Sequence, residues 1–224
     1  MGFSLLLKYK LYKRIFDIII SITLILLFSP IFLITIFFLS ISGEREVLYF
    51  QKRIGYKNKS MTIYKFATMM KNSEELGYKD ITTRDDFRIT KFGRILRITK
   101  INELPQLFNV LEGSMSLVGP RPLMEQGFNR YNKKTKKKIY NIFPGITGIG
   151  SIYFRDEELV ITNSKLTPDE TSQTIIAPKK AALELWYQDN MSFTVDILII
   201  IITAISIFYP SNQILRKVFP NAPL

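Results

Sequence analysis

The chain has 224 residues, 47% of them hydrophobic, and a formal charge of +12 from 31 Lys and Arg against 19 Asp and Glu. That length holds one globular domain plus an apolar anchor, and the charge favours anionic lipid surfaces and phosphorylated ligands. With no cysteine and no histidine, disulfides, zinc-thiolate sites, cysteine nucleophiles, Ser-His-Asp triads and histidine bases are all excluded. Chemistry is left to carboxylates, Lys, Tyr, Ser or Thr. That set suits phosphoryl transfer assisted by a divalent ion, which needs charge neutralisation and positioning more than a neutral-pH base. The charge alone also fits nucleic acid, but the apolar anchor argues against that partner.

The first predicted element is the run at 15–41, IFDIIISITLILLFSPIFLITIFFLSI. It is long enough to cross a bilayer, too long for a signal-peptide core, and no small-residue cleavage site follows it. Ser29-Pro30 falls near its middle, where proline removes a backbone donor and bends the helix. Both flanks are basic: Lys8, Lys10, Lys13 and Arg14 before, Arg45, Lys52, Arg53, Lys57 and Lys59 after. A simple span wants one flank depleted. The residues alone leave two readings level, a helix that bends and returns to the same face and a kinked spanning helix. Lys13 and Arg14 are expected to snorkel to lipid headgroups, and Asp17 to pair locally with Arg14.

Farther along, 47–50 and 61–66 are β-prone around a turn at 55–60. Residues 71–90 are polar and predict a surface loop with a short helix. A helix is predicted over 102–112, with Asn102 as its N-cap, Glu103 and Pro105 in the first turn, Leu104, Leu107, Phe108 and Leu111 as its buried stripe, and Gly113 as its stop. Residues 117–122 must be extended, because each proline disfavours helix in the residue before it. One basic helix is expected over 123–140, a tight turn at 144–148 (PGITG), a helix over 177–190 with Trp186 and Tyr187, and a final apolar helix over 192–209. That last helix contains Asp196, is short for a span, and suits an interfacial position; a second crossing is the alternative.

Several residues can carry chemistry. Glu103, at a helix start and near Arg97 and Arg121 in sequence, suits a magnesium ion bridging a diphosphate; taken alone it reads first as a macrodipole partner. Arg97 and Arg121 are planar forks suited to phosphate oxygens, and the prolines flanking Arg121 pre-aim it. Lys65 is a further phosphate candidate. Gly145 and Gly148 around Thr147 suit either nucleotide binding through backbone N–H groups or a plain turn. The Lys133–Lys138 cluster is a solvated face or a headgroup contact, and Trp186 and Tyr187 mark either an interface or a core.

The lines ELPQLFNVL (103–111), SLVGPRP (116–122) and PGITG (144–148), the Gln51-x-Arg53-x-Gly55 pattern, the run Tyr64, Lys65, Phe66, Thr68, Met69, and the positions Asp86, Arg88, Thr90 and Gly93 together resemble the bacterial sugar transferases, the monotopic phosphoglycosyl transferases. The likeness runs from about residue 10 to 205. It implies a small, helix-rich mixed α/β domain over 43–224, docked on a membrane by a re-entrant helix over 1–42 that breaks at Ser29-Pro30. It also implies transfer of a sugar-1-phosphate from a UDP-sugar to polyprenyl (undecaprenyl) phosphate with release of UMP, the first membrane step of a surface glycan such as capsule or lipopolysaccharide. Mg²⁺ on Glu103, phosphate contacts from Arg97 and Arg121, anionic lipids as partners and a place on the cytoplasmic face of the bacterial inner membrane follow from the same likeness; oligomerisation is open. Two positions depart from the pattern. Ala67 stands where the family commonly has a basic residue, and Asn102 stands where it has the nucleophilic aspartate. Asn102 leaves three readings: a ligand-orienting amide with direct transfer, a catalytically weak relative that binds UDP-sugar as a scaffold, or a change that traps substrate.

Overall fold

The structure, a computed structural model, describes residues 3–42, 44–76, 81–83, 86–207, 209 and 212–224, with backbone alone at 3–8 and 74. The expected basic flank at Lys8 and part of the expected loop at 71–90 lie outside the described side chains. The fold is mixed α/β and helix-rich. Helix α1 (Phe3–Leu27) and helix α2 (Ser29–Ile41) meet at the predicted break, where Pro30 occupies the first turn of α2, Ser29 Oγ donates to the Leu26 carbonyl at 2.8 Å, and the axes bend by 60°. Among the described residues no single helix is long and apolar enough to cross a membrane, but the bent pair meets that length and composition together.

Strands β1 (Leu48–Ile54) and β2 (Ser60–Phe66) pair antiparallel, Leu48 opposite Phe66 and Ile54 opposite Ser60. Helix α3 (Lys91–Ile98) starts on Thr90, whose hydroxyl accepts from the Gly93 N–H at 3.0 Å. A Cβ at Gly93 would stand 2.1 Å from the Thr68 carbonyl, so only glycine lets α3 lie on the strand end. Ahead of it, buried Arg88 pairs with Asp86 at 2.5 Å and donates to the Ser73, Leu76 and Ile81 carbonyls. This motif is thus a staple for the 73–90 segment.

Four local expectations differ. Residues 101–103 form a single 3-10 turn, and the regular helix α4 (Gln106–Glu112) begins only after Pro105, which has no N–H to give to an earlier carbonyl. Asn102 is therefore no N-cap. Phe108 faces outward onto Phe32 of α2, with centroids 6.0 Å apart, while Leu107 and Val110 hold the core side. Residues 145–147 are strand β4 (Gly145–Thr147), parallel to β3 (Ser116–Val118), rather than a tight turn. A Cβ at Gly145 would meet the Gly119 nitrogen at 2.1 Å, so the two glycines let the strands close. The basic segment splits into α5 (Glu125–Asn129) and α6 (Lys133–Lys138), because Asn132 leaves the helix to cap Thr135.

The chain continues through α7 (Ile149–Tyr153), α8 (Glu157–Thr162), α9 (Pro168–Thr171), a π turn at 172–176, α10 (Ala177–Asn190), α11 (Phe193–Ser206) and α12 (Asn212–Val218). Its main core gathers Val110, Met115, Val118, Ile149, Leu183 and Ile199 around the β3–β4 pair.

Helix α1 packs on this body across the expected boundary at 42. Lys13 and Arg14 turn inward rather than to headgroups. Lys13 Nζ donates to Asp196 at 2.8 Å, and Arg14 reaches the Leu111 carbonyl in the last turn of α4 and the Met115 carbonyl beyond it. Asp17 accepts from Ser116 Oγ at 2.7 Å in place of the expected Arg14 pair. Tyr187, fully buried rather than interfacial, joins Tyr9 on Asp196 at 2.5 and 2.8 Å. Asp196→Ala would leave a buried ammonium and two phenols without their acceptor. It is expected to cost about 3–5 kcal/mol, read as a large drop in melting temperature in detergent; unchanged melting would show the node contributes nothing.

Candidate active site

The 3-10 turn follows Lys100, held in the left-handed region at φ 61°, and this reversal sends Glu103 toward β3. Its carboxylate meets the Arg121 guanidinium as a fork, Oε1 at 2.9 Å from Nη2 and Oε2 at 3.4 Å from Nη1. Burial alone would push the Glu103 carboxyl up; Arg121, Lys65 and Lys100 outweigh it and hold the group well below the ordinary carboxylate range. Glu103 in turn raises Arg121.

The Pro120-Arg121-Pro122 loop is braced from two sides. Tyr140 Oη donates to the Arg121 carbonyl at 2.8 Å and accepts from the Leu123 N–H at 3.0 Å. Arg53 of β1 donates to the Pro122 carbonyl at 3.3 Å while its other nitrogens hold Gln51 Oε1. Burial and the neighbouring Arg121 charge push Arg53 down to about 10, which leaves it cationic at neutral pH. Lys65 of β2 faces the same carboxylate; burial drives it well below the usual lysine range, Glu103 opposes this, and the charges of Arg53, Arg121 and Arg97 add to it.

Lys65, Arg97, Asn102, Glu103, Arg121 and Thr147 all line one cleft of about 1620 Å³. They occupy it differently. Arg97 stands at the rim and is held by Glu158 at 2.5 Å rather than by Glu103. Thr147 lies on the wall, its hydroxyl 2.7 Å from that of Thr203. The Gly145 N–H is engaged by the Pro120 carbonyl at 3.0 Å, so this glycine serves strand packing. Asn102 is buried, and its Oδ1 has no hydrogen-bond partner among the described residues. The same cleft runs to Ile20 and Leu24 of α1 and to Phe28 at the bend. Arg53, Tyr140 and the Lys180–Glu157 pair (2.7 Å) were not assigned to the site from sequence. The Gln51-x-Arg53 pattern signalled the first; nothing local signalled the others.

Among the described residues no three acidic side chains cluster as a metal site. The donor chemistry still fits magnesium, which takes one or two protein oxygens and completes its shell with phosphate and water. Glu103 would offer the carboxylate and Asn102, next to it in sequence, an amide oxygen without a partner among the described residues.

The sequence model of the family described as bacterial sugar transferase matches residues 8–210. This chain belongs to the bacterial sugar transferase family. It is 37% identical over 191 residues to the sugar transferase EpsL of Bacillus subtilis, covering 85% of this chain and 84% of that protein. It is 32% identical over 194 residues to the UDP-N-acetylgalactosamine-undecaprenyl-phosphate N-acetylgalactosaminephosphotransferase of Aeromonas hydrophila, and 34% identical over 196 residues to the undecaprenyl-phosphate glucose phosphotransferase of Komagataeibacter xylinus. These matches cover 86% and 85% of this sugar transferase, but only 42% and 35% of the two relatives.

Proposed function

We propose that this sugar transferase moves a sugar phosphate from a UDP-sugar to polyprenyl phosphate, releasing UMP, as the first membrane step of a surface glycan. The carrying observation is that one cleft joins the Glu103–Arg121 cationic centre to the apolar Ile20, Leu24 and Phe28 face. A diphosphate head and a prenyl tail need those two surroundings side by side. Arg121, Arg53 and Lys65 neutralise phosphate oxygens, and the Tyr140 and Arg53 braces keep Arg121 aimed. Mg²⁺, held by Glu103 and the Asn102 amide oxygen, would supply charge neutralisation across the diphosphate. An amide is a poor nucleophile. Transfer here is therefore direct: an acceptor phosphate oxygen bonds to the sugar-bearing phosphorus, the bond to the UMP oxygen breaks, and the electron pair leaves with UMP.

Exposed Ile19, Ile22, Leu26, Leu33, Phe37 and Ile41 make α1 from about residue 19, with α2, an apolar surface that supports docking in one leaflet. The 60° bend favours a re-entrant path over a crossing. Residues from about 19 to 42 then form the membrane unit, while the earlier part of α1 packs on the 43–224 domain, which sits on the cytoplasmic face of the inner membrane with anionic lipids beneath it.

The test is UMP release by membrane-inserted protein with undecaprenyl phosphate and a panel of UDP-sugars, with and without EDTA. Acceptor-dependent UMP release that EDTA abolishes is the expected result. Mg²⁺-dependent nucleotide binding with no UMP release would instead favour a UDP-sugar-binding scaffold, the reading Asn102 keeps open.

A further inference from the structure

Glu184 on α10 is 2% exposed, and among the described residues neither carboxylate oxygen completes a hydrogen bond. Its carboxyl lies beneath the two segments that form the cleft wall. A Cβ at Gly150 would stand 2.5 Å from its Oε1 and one at Gly148 3.5 Å from its Oε2, so it presses on the first turn of α7, just past Thr147. The Arg121 backbone N–H lies on its other side.

The charged groups around it are committed elsewhere. Lys180, one turn earlier on α10, bonds Glu157 at 2.7 Å. The Arg121 guanidinium grips Glu103. Tyr131 and Tyr140, facing it from the 131–140 segment, are buried, and burial raises both phenols. An ionised carboxylate here would have neither a committed cation nor a full set of donors, a costly state that the neutral acid avoids. Burial accordingly pushes Glu184 up to about 8, against the weaker pull of the Arg121 N–H, Lys180 and the Arg121 charge.

We propose that Glu184 is a positioning residue for the transfer: as a neutral acid it lets the Gly148–Gly150 turn and the Arg121 loop close over it, and as an anion it competes with Glu103 for Arg121. The functional half rests on the reading of Arg121 as a phosphate ligand; the neutral buried acid does not. In the unfolded chain this carboxyl ionises in the ordinary range, so between that range and about pH 8 the native state holds the extra proton. Stability therefore falls as pH rises through that window and levels above it.

The experiment follows the full chain in detergent by thermal melting, UDP binding and infrared spectroscopy across pH. Wild type is expected to lose melting temperature from about pH 5 to about 8 and UDP affinity by about tenfold from about pH 7 to 9, with a carboxylic-acid carbonyl band disappearing over the same upper range. Glu184→Gln, a neutral isostere, is expected to lack that band and to flatten both profiles. A Glu184→Gln protein with the wild-type alkaline limb overturns the proposal. So does a wild-type spectrum with no acid band titrating above neutrality, a result that needs no folded variant. Absence of UDP binding at every pH, with band and melting profile as expected, overturns only the functional reading.

Discussion

Glu103→Gln is expected to lower UMP release by about 10²–10³-fold, the range seen when a fixed electrostatic partner of the transition state is removed. The substitution keeps the side-chain shape and one hydrogen bond to Arg121, but it takes the carboxylate charge from between Arg121, Lys65 and Lys100. It also removes the only carboxylate proposed for the divalent ion. Two readouts separate these roles. UDP binding without magnesium should persist in the variant, because Arg53 and Arg121 stay cationic and lose a competing carboxylate. Magnesium enhancement of that binding should disappear. The stability effect has a definite sign: a carboxylate held below its ordinary range stabilises the fold above that range, and the contribution fades as pH falls toward its native value. Wild type should therefore lose more melting temperature than Glu103→Gln on acidification below about pH 5. A variant with wild-type turnover and magnesium response would remove Glu103 from the site.

The sequence made visible what short-range rules control. Proline placed the α1–α2 bend, β-prone residues around a turn placed the β1–β2 hairpin, and the apolar run after Ser192 placed α11. It failed where distant partners decide. PGITG reads as a turn until Gly119 is beside Gly145, and the glycine-on-glycine approach then makes it a strand. Lys13, Arg14 and Asp17 look like a membrane flank because their acceptors and donors, Asp196, Leu111, Met115 and Ser116, lie about 100 residues or more away in the chain. The candidate site was legible only as a set of residue names, Lys65, Asn102, Glu103, Arg121, Arg97 and Thr147, which the fold brings to one cleft. It was not legible as a geometry. Only the fold reveals that Glu158 holds Arg97 at the rim and that Arg53 and Tyr140 clamp the Arg121 loop.

Asn102→Asp is expected to convert direct transfer into a two-step reaction and to raise UMP release by about 10²-fold or more, given what nucleophile losses cost in enzymes that use one. The change is isosteric, so the 3-10 turn and the buried position of the side chain should survive it. What changes is charge. An aspartate at 102 would stand next to Glu103, which disfavours its ionisation, but also in the cationic cleft of Arg121, Lys65 and Lys100 that already holds Glu103 ionised. The cationic cleft opposes that penalty, and the second carboxylate is expected to ionise and act as the nucleophile. Its oxygen can then bond to the sugar-bearing phosphorus as UMP leaves with the electron pair, which gives an aspartyl sugar phosphate. The expected signature is a burst of about one UMP per Asn102→Asp protein without acceptor, with a matching adduct in the intact mass that polyprenyl phosphate discharges. Wild type should give neither burst nor adduct, and release UMP only when acceptor is present. A burst and adduct from the wild-type protein would mean that another side chain serves as nucleophile and would end the direct-transfer reading; their absence from Asn102→Asp would show that the buried oxygen at 102 does not reach the phosphorus.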